Sequence, residues 1–462
     1  MHNFPRHTHL LLLAGLSALP VCGAVAADEQ EPTLQSVTVT ATRREESLQK
    51  VPVAVSVLDG EQLERDNRNG VASIAQQVPS LNFRTGASNK DTSLFVRGVG
   101  TISTSPGVEP TVATVIDGVV YARPGQATLD LLDLERIEVL RGPQGTLFGK
   151  NASAGVLNIT SKAPTAQTHG FIDQSFYSGH ESRTRFGIGG SLVPEVLKGS
   201  ISTLFGSYDG NVDNRHNGQE VNGYNHKGIR GKLEFTPNDD VTLTLIADYM
   251  QSHDDAPNGV VSKSLSPAFS NALRPVRASS DNRDINTDTR SHVEDTNKGL
   301  SAQLDWNLGD YTLTSITAWR GWDNTQYQDG DRLGTVTAAF PGTADKGDLA
   351  FDQYSQELRL AYAKASSWST SAACSTCMAR MRRPISAPSP PRRGSIEALP
   401  TTAPPATATR CSARPRSTSP RAFAASPGCV TPMTTCSTTI AACPPLPLPS
   451  AAFNRRRRVP VR

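Results

Sequence analysis

Apolar and polar residues alternate through the middle of this chain. Val241-Thr242-Leu243-Thr244-Leu245 and Tyr311-Thr312-Leu313-Thr314 repeat at period two, the pattern of a strand with one apolar and one wet face. About eight such segments follow one another, near 171–177, 183–191, 199–208, 226–236, 241–251, 298–308, 311–322 and 352–362. Their connections alternate in length. Leu192 to Lys198, Pro237 to Asp240 and Gly309-Asp310 are short, whereas Asp209 to Asn225, Ser252 to Asn297 and Asp323 to Ala350 are long and polar. That asymmetry predicts an antiparallel transmembrane β-barrel with turns on one side and loops on the other. Tyr249, Trp306, Tyr311, Trp319 and Trp322 fall near strand ends, where interface girdles carry aromatics. A soluble β-sandwich also alternates, but its loops do not usually sort by length in this way.

Ahead of these strands the pattern changes. Val51 to Leu58 reads as a strand, Gly60 to Pro79 carries helical spacing through Leu63, Val71, Ile74 and Val78, and Ser80 to Arg84 returns to strand. Leu134 to Arg141 alternates again, with Ile137, Val139 and Arg141 on one side and Glu138 and Leu140 on the other. Arg141-Gly142-Pro143 then breaks the strand, and Gly142, Gly145, Gly149 and Gly155 stand too close together for a stable helix. The backbone there must fold tightly, partly at positive φ. Val156, Leu157, Asn158 and Ile159 resume a strand. Gly149-Lys150 suggests a phosphate loop, but Gln144 stands where that motif needs glycine and Asn151 where it needs Ser or Thr.

The stretch from Leu134 to Lys162 resembles the C-terminal half of the plug domain of TonB-dependent outer-membrane receptors, and the resemblance extends over Leu34 to Tyr362. Ser93 to Gly100, with Arg97-Gly98, resembles that family's central plug strand. Val112 to Tyr121, with Ile116-Asp117-Gly118-Val119, resembles the next. The resemblance implies an α+β plug domain over 42–165, followed by the N-terminal part of an antiparallel barrel over 168–362. It gives structural roles to Arg97, Gly98, Asp117, Gly118, Glu138, Arg141, Gly142, Pro143, Gly145, Gly149 and Asn158. Arg97 and Arg141 would pair with barrel carboxylates, since a buried guanidinium needs such partners; otherwise both lie in solvated turns. Ser36, Val37, Thr38, Val39, Thr40 and Ala41 stand at the Ton box, within 34–41, the handle grasped by the partner TonB. As a free strand this segment would add to the edge of another protein's sheet. The loop Gly100 to Pro110 corresponds to family loops that touch ligand. The implied ligand is a small molecule such as a ferric chelate.

The first residues set the compartment. Arg6, an apolar run from Leu10 to Leu19 and Ala24-Val25-Ala26 form an export signal over 1–27. No segment approaches a transmembrane helix, so membrane insertion requires a barrel in contact with outer-membrane lipid. The whole chain is 37% hydrophobic and 19% charged with net charge +3, unremarkable for one large or two medium domains. Cysteine usage is uneven: Asp28 to Lys364 has none, so disulfides and thiolate metal sites play no part there. His253-Asp254-Asp255 is the one cluster that suggests a metal or ferric chelate contact, and such a cluster is more often solvated loop surface. No nucleophile–base pair or metal-ligand spacing supports catalysis, so neither enzyme activity nor a cofactor is expected.

After Lys364 the composition shifts. From Ala365 to Arg462 there is one acidic residue, Glu397, with no Asp, Tyr or Gln, and the alternating strands stop. A zinc knuckle at Cys374-x-x-Cys377 lacks further ligands at workable spacing, and Arg455 to Arg458 has no nucleic-acid target in the envelope. We read 365–462 as a disordered, out-of-frame tail. Shifting the frame by one base permits an alternating strand at Ser367 to Ala379, and Met433-Thr434 then necessarily encodes Asp. The expectation is an outer-membrane TonB-dependent receptor of a Gram-negative bacterium, specific for a scarce ligand such as a ferric siderophore and inactive as truncated. The alternative is a secreted, non-transporting plug and partial barrel acting as a binding module.

Overall fold

The computed structural model describes residues 37–66, 68, 70–86, 88–102, 108–127, 132–335, 337, 339–340 and 342–362, and the backbone of 368–382 and 406–417. The export signal, Ser36 and most of the tail lie outside the described residues. Contacts divide the chain into Met1–Arg416, which holds everything described below except the last residue of the final strand, and Ser417–Arg462.

The first part is an α+β domain. Its strands are β1 (Thr38–Val39), β2 (Glu46–Ser47), β3 (Val55–Asp59), β4 (Leu81–Arg84), β5 (Ser93–Val96), β6 (Val99–Gly100), β7 (Val112–Ile116), β8 (Val119–Tyr121), β9 (Leu134–Arg141) and β10 (Gly155–Ser161). A mixed five-stranded sheet runs β3-β9-β10-β7-β8, with β10 parallel to β7. The two strands read from Leu134 to Lys162 are therefore interior strands. Both faces of β9 are buried, and Ile137, Glu138, Val139 and Leu140 are all fully enclosed. One face packs against helices α1 (Gly60–Arg65) and α2 (Val71–Ala75), where Leu63, Val71, Ile74 and Val78 form the core. The continuous helical spacing breaks into two helices because Gly70 is extended, at φ −116°.

Two expectations are corrected in this domain. Ser93 to Gly100 does not join the main sheet: β5 is the middle strand of a separate sheet, β4-β5-β6, and Arg97 and Gly98, at φ 53° and 76°, turn the chain back from β5 into β6. The glycine-rich stretch does contain one helical turn, α3 (Gly145–Phe148). Positive φ at Gly142 (92°) and Gly149 (77°) brackets it.

The second part is one antiparallel sheet. It comprises β11 (His169–Tyr177), β12 (Glu181–Val193), β13 (Leu197–Asn214), β14 (Gln219–Asn238), β15 (Val241–Asp255), β17 (His292–Leu308), β18 (Tyr311–Asp329) and β19 (Ala344–Tyr362), paired in that order. Between β15 and β17 lie α4 (Pro267–Ala272) and β16 (Asp284–Ile285), the latter pairing in parallel with β13. All eight predicted segments are strands, and most run further than the alternation did. Asp209 to Asn225 is not a long loop but two paired strands joined by a turn at 215–218. Beyond the apolar band both strand faces are polar, so side-chain alternation disappears while main-chain pairing continues.

Alternation sorts the two faces of this wall. Ile201, Phe205, Ile229, Leu233, Leu245 and Leu300 are exposed on one face, whereas Leu204, Lys232 and Ile316 are buried on the other. Ile316 and Ala318 join the core of the first domain. Trp322 is fully buried on that inner face and so is not part of an aromatic girdle. Among the described residues no helix is long and apolar enough to cross a membrane.

The tail needs a further correction. Two strands, β20 (Trp368–Arg382) and β21 (Ala406–Ser417), extend the sheet beyond β19, with β20 antiparallel to it. An exposed strand edge recruits main-chain donors and acceptors whatever the side chains are, so lost alternation does not preclude pairing. The remaining tail, 365–367, 383–405 and 418–462, lies outside the described residues.

Candidate functional site

The N-terminal strand is docked, which overturns the expectation of a free edge. β1 pairs with β2. Val39 and Ala41 are completely buried among Ala113, Val115, Leu140 and Val156, while Val37 is exposed. Thr40 lies between them and meets two of the residues singled out in the sequence. Its backbone N–H and Oγ1 donate to Glu138 Oε1 at 2.8 and 3.1 Å. Asn158 Nδ2 donates to Thr40 Oγ1 (3.0 Å) and Glu138 Oε2 (3.2 Å). Arg136 Nε completes the set on Glu138 Oε1 at 3.0 Å. The buried carboxylate is thus satisfied by four donors, two of them from Thr40. Main-chain groups held in this way are not available to a partner strand until the segment leaves its pocket.

Sequence reasoning missed Arg43. A turn, Arg43 N–H to Thr40 O at 2.8 Å, swings its side chain under the domain. There Nη2 lies 3.5 Å from Glu357 of β19, Nη1 donates to Gly118 O (3.3 Å) and Nε to Leu147 O (3.4 Å). The guanidinium also stacks 4.3 Å from the Phe148 ring. In return Arg359 Nη1 donates to the Arg43 carbonyl at 3.0 Å. Burial lowers the Arg43 pKa to about 10, with Glu357 opposing and Arg359 reinforcing the shift. Neither periodicity nor composition distinguishes Arg43 from Arg44 beside it.

The arginines that were singled out behave otherwise. Arg97 is exposed in its turn, and Arg141 is half-buried with Nε 3.5 Å from Ala54 O. Among the described residues neither meets a wall carboxylate, so the alternative of solvated turns holds for them. The domain–wall ion pairs mostly have the opposite sense, with carboxylates on the domain and cations on the wall. Asp117 faces Arg230 (3.6 Å) and Lys232 (3.8 Å), and Glu64 faces Arg185 (3.6 Å). Asp117 also accepts from Ser161 N–H (2.9 Å) and Oγ (2.8 Å), while Lys232 Nζ donates to Ser161 O and Oγ. Burial alone would raise the Asp117 carboxyl; Lys232, Arg230 and Ser161 together hold it below its ordinary value. Gly118, at φ 79°, lets the turn sit against Ile316, whose Cδ1 would lie 2.9 Å from any Cβ there. Gly142 and Gly98 also need positive φ, but a Cβ at either would meet open space. Pro143 is exposed, and Gly145 opens α3.

Three basic side chains elsewhere on the domain each have a partner. Lys150 pairs with Glu109 (2.8 Å), Arg123 Nη1 donates to Val108 O (2.7 Å), and Lys90 pairs with Asp91 (2.9 Å). Burial lowers Arg123, with Glu109 opposing, and raises Asp91 against Lys90. His253-Asp254-Asp255 ends strand β15 rather than lying in a loop, and each member is engaged. His253 meets Glu294, Asp254 meets His226 and Asp255 meets Arg290, at 3.2, 2.7 and 2.9 Å. His180, Asp209 and Glu220, all exposed, bring ligand atoms within 4.8 Å of one another.

Residues 47–156 match the TonB-dependent receptor plug domain family. The pesticin receptor of Yersinia enterocolitica is 28% identical over 231 residues, covering 50% of this chain and 33% of that protein. A probable TonB-dependent siderophore receptor, PirA of Acinetobacter baumannii, is 29% identical over 240 residues, covering 46% and 31%. The chain therefore spans about a third of the length of these curated relatives. Among solved structures, the ferric yersiniabactin uptake receptor FyuA of Yersinia pestis superposes with a TM-score of 0.60 at 21% identity, over 71% of this chain and 49% of that one. At that identity the likeness is one of fold.

Proposed function

We propose that this chain, whose residues 47–156 are a TonB-dependent receptor plug domain and whose following strands share the fold of receptor barrels, serves as plug and leading wall of an outer-membrane receptor. Its ligand class would be a siderophore, the class named for PirA, carried as a ferric chelate, with Lys90, Arg123 and Lys150 supplying cationic contacts to an anionic chelate. Residues 1–27 direct export, and 34–41 form the handle for TonB. No covalent chemistry is required. Transport consists of pulling Val37 to Ala41 and rearranging the plug behind it.

One observation carries the reading. The docked strand is tied by Thr40 to Glu138 and, through the adjoining turn, by Arg43 to Glu357 of the wall. Force on Val37 therefore reaches the plug core and the plug–wall contact within a few residues. A photo-crosslinker at Thr38, in the full chain mixed with the C-terminal domain of TonB, is expected to capture that domain far better than one at Ser56. Equal capture at both positions would sink the proposal.

The second reading, a non-transporting binding module, has its own support: among the described residues β11 and β21 end the sheet without pairing to each other. An open edge of this kind invites aggregation rather than a closed pore. An out-of-frame tail accounts for both the composition after Lys364 and the missing closure. Resequencing the gene across Leu360 to Met378 is expected to reveal a miscounted base or two. An unchanged sequence would leave the binding-module reading in place.

A further inference from the structure

The free edge of the plug sheet is closed by a side chain. β8 is the edge strand of β3-β9-β10-β7-β8, so among the described residues of the domain its outward main-chain groups have no neighbouring strand. Gln353 of β19, almost completely buried, supplies one. Its Oε1 accepts from Ala122 N–H at 3.0 Å, and its Nε2 donates to Val120 O at 2.6 Å. A single planar amide thus straddles Tyr121 as one residue of a parallel neighbouring strand would. Only an amide side chain offers donor and acceptor together in that geometry.

Two more wall residues hold the segment beside it. Trp322 packs with Ala122, Leu349 and Phe351 in one cluster. Its ring lies so near Gly125 that a Cβ there would approach Cη2 to 3.2 Å and clash with Asn89 O at 2.1 Å. Trp322 Nε1 donates to Asp295 Oδ1 (2.7 Å), and the other oxygen of Asp295 accepts from Asn89 Nδ2 of the plug (2.8 Å). Asp295 of β17, Trp322 of β18 and Leu349, Phe351 and Gln353 of β19 make up this seat, which grips Val119–Ala127 and, through Asp295, Asn89.

We infer that Gln353 is a positioning residue that keeps the plug segment 112–127 on the wall while the N-terminal strands are drawn away. The inference rests on the reading that residues 37–41 are pulled, and it divides the plug into a leaving part and a staying part. The leaving part is fastened by Glu138 and Arg43 and, further along, by Glu64 to Arg185 and Asn89 to Asp295. The staying part is fastened by the Gln353 amide, the Trp322 packing and the Asp117 ion pairs. A plug so divided opens a path without abandoning the wall.

Single-molecule pulling on the full chain in detergent, between residue 37 and the turn at Gly309-Asp310, needs no TonB and so tests this separately from the crosslinking experiment. Two rupture events are expected, residues before β7 first and 112–127 second. Gln353→Leu leaves Val120 O and Ala122 N–H without partners, so the second event should come roughly tenfold faster at equal load, with the first unchanged. Gln353→Glu keeps the volume and the acceptor but loses the donor, and the same selective change is expected should the leucine variant fail to fold. A single rupture of the whole plug, or equal changes in both events, would overturn the assignment. Failure of TonB crosslinking with two intact ruptures would instead remove the pulling partner and leave the seat standing.

Discussion

Asparagine at Asp117 is expected to destabilise the plug–wall junction by about 3–5 kcal/mol, the cost of breaking a buried ion pair from one side. Asp117 is the one plug group that neutralises Lys232, which is buried with no other carboxylate within pairing distance among the described residues. Arg230 is better placed, since Asp248 lies close enough to interact with it. The loss should therefore fall mostly on Lys232, and the double variant Asp117→Asn with Lys232→Met should recover much of it. A urea midpoint for the release of plug from wall, read by protease accessibility of 112–127, measures both. The pH dependence has a definite sign. The folded carboxyl titrates below its ordinary 3.8, so its contribution is present above that value and is lost as pH falls through the lower folded pKa. Wild type and Asp117→Asn should accordingly differ by a constant amount from about pH 5 to 8 and converge only under stronger acid. Convergence near neutrality would show that Asp117 is not the ion-pair partner of these cations.

The contrast between Asp117 and Arg97 shows what a sequence can and cannot carry. Alternation made the eight wall strands legible because each side chain's face follows from local geometry. The helical spacing through Leu63, Val71, Ile74 and Val78 likewise pointed to the core of the plug. Ion pairing across plug and wall has no local signature. Asp117 meets Arg230 and Lys232 only because a turn at positive φ faces alternate residues of a strand more than a hundred positions later. Arg97 looked equally suited and turned to solvent. The same limit hid Gln353, one amide in an unremarkable strand. It also concealed the upper halves of β13 and β14, where polar residues on both faces removed the alternation without removing the hydrogen bonds. The docking of Thr38 to Ala41 was not foreseen, since the segment read as a free strand with Val37 and Val39 on one side, whereas Val39 is buried and Val37 exposed. What decides it is the buried Glu138, and nothing adjacent to either residue reports that they meet.

Leucine at Glu138 is expected to have the other large effect, releasing residues 37–41 from the plug. The carboxylate accepts from Thr40 N–H, Thr40 Oγ1, Asn158 and Arg136, and leucine accepts from none. Each buried donor left unmade costs about 1–3 kcal/mol, more for a charged one. Arg136 can fall back on Glu135, which it already contacts, so the penalty concentrates on Thr40 and Asn158 and comes to about 3–5 kcal/mol. Amide exchange at Val39 and Thr40 should then approach that of an unstructured segment, while exchange in β7 and β10 stays slow. Glutamine at the same position would act differently, since its carbonyl oxygen can still receive Thr40 N–H and Arg136 Nε, while its amide nitrogen, standing where Oε2 accepted from Asn158 Nδ2, gives up that one bond. Glu138→Gln should therefore keep the strand docked and Glu138→Leu should free it. If the docked strand restrains its own capture, the leucine variant should also crosslink TonB more readily than wild type. Released strand with unchanged crosslinking would mean that docking at Glu138 does not govern access to the handle, and Arg43 would then be the remaining tie between pull and wall.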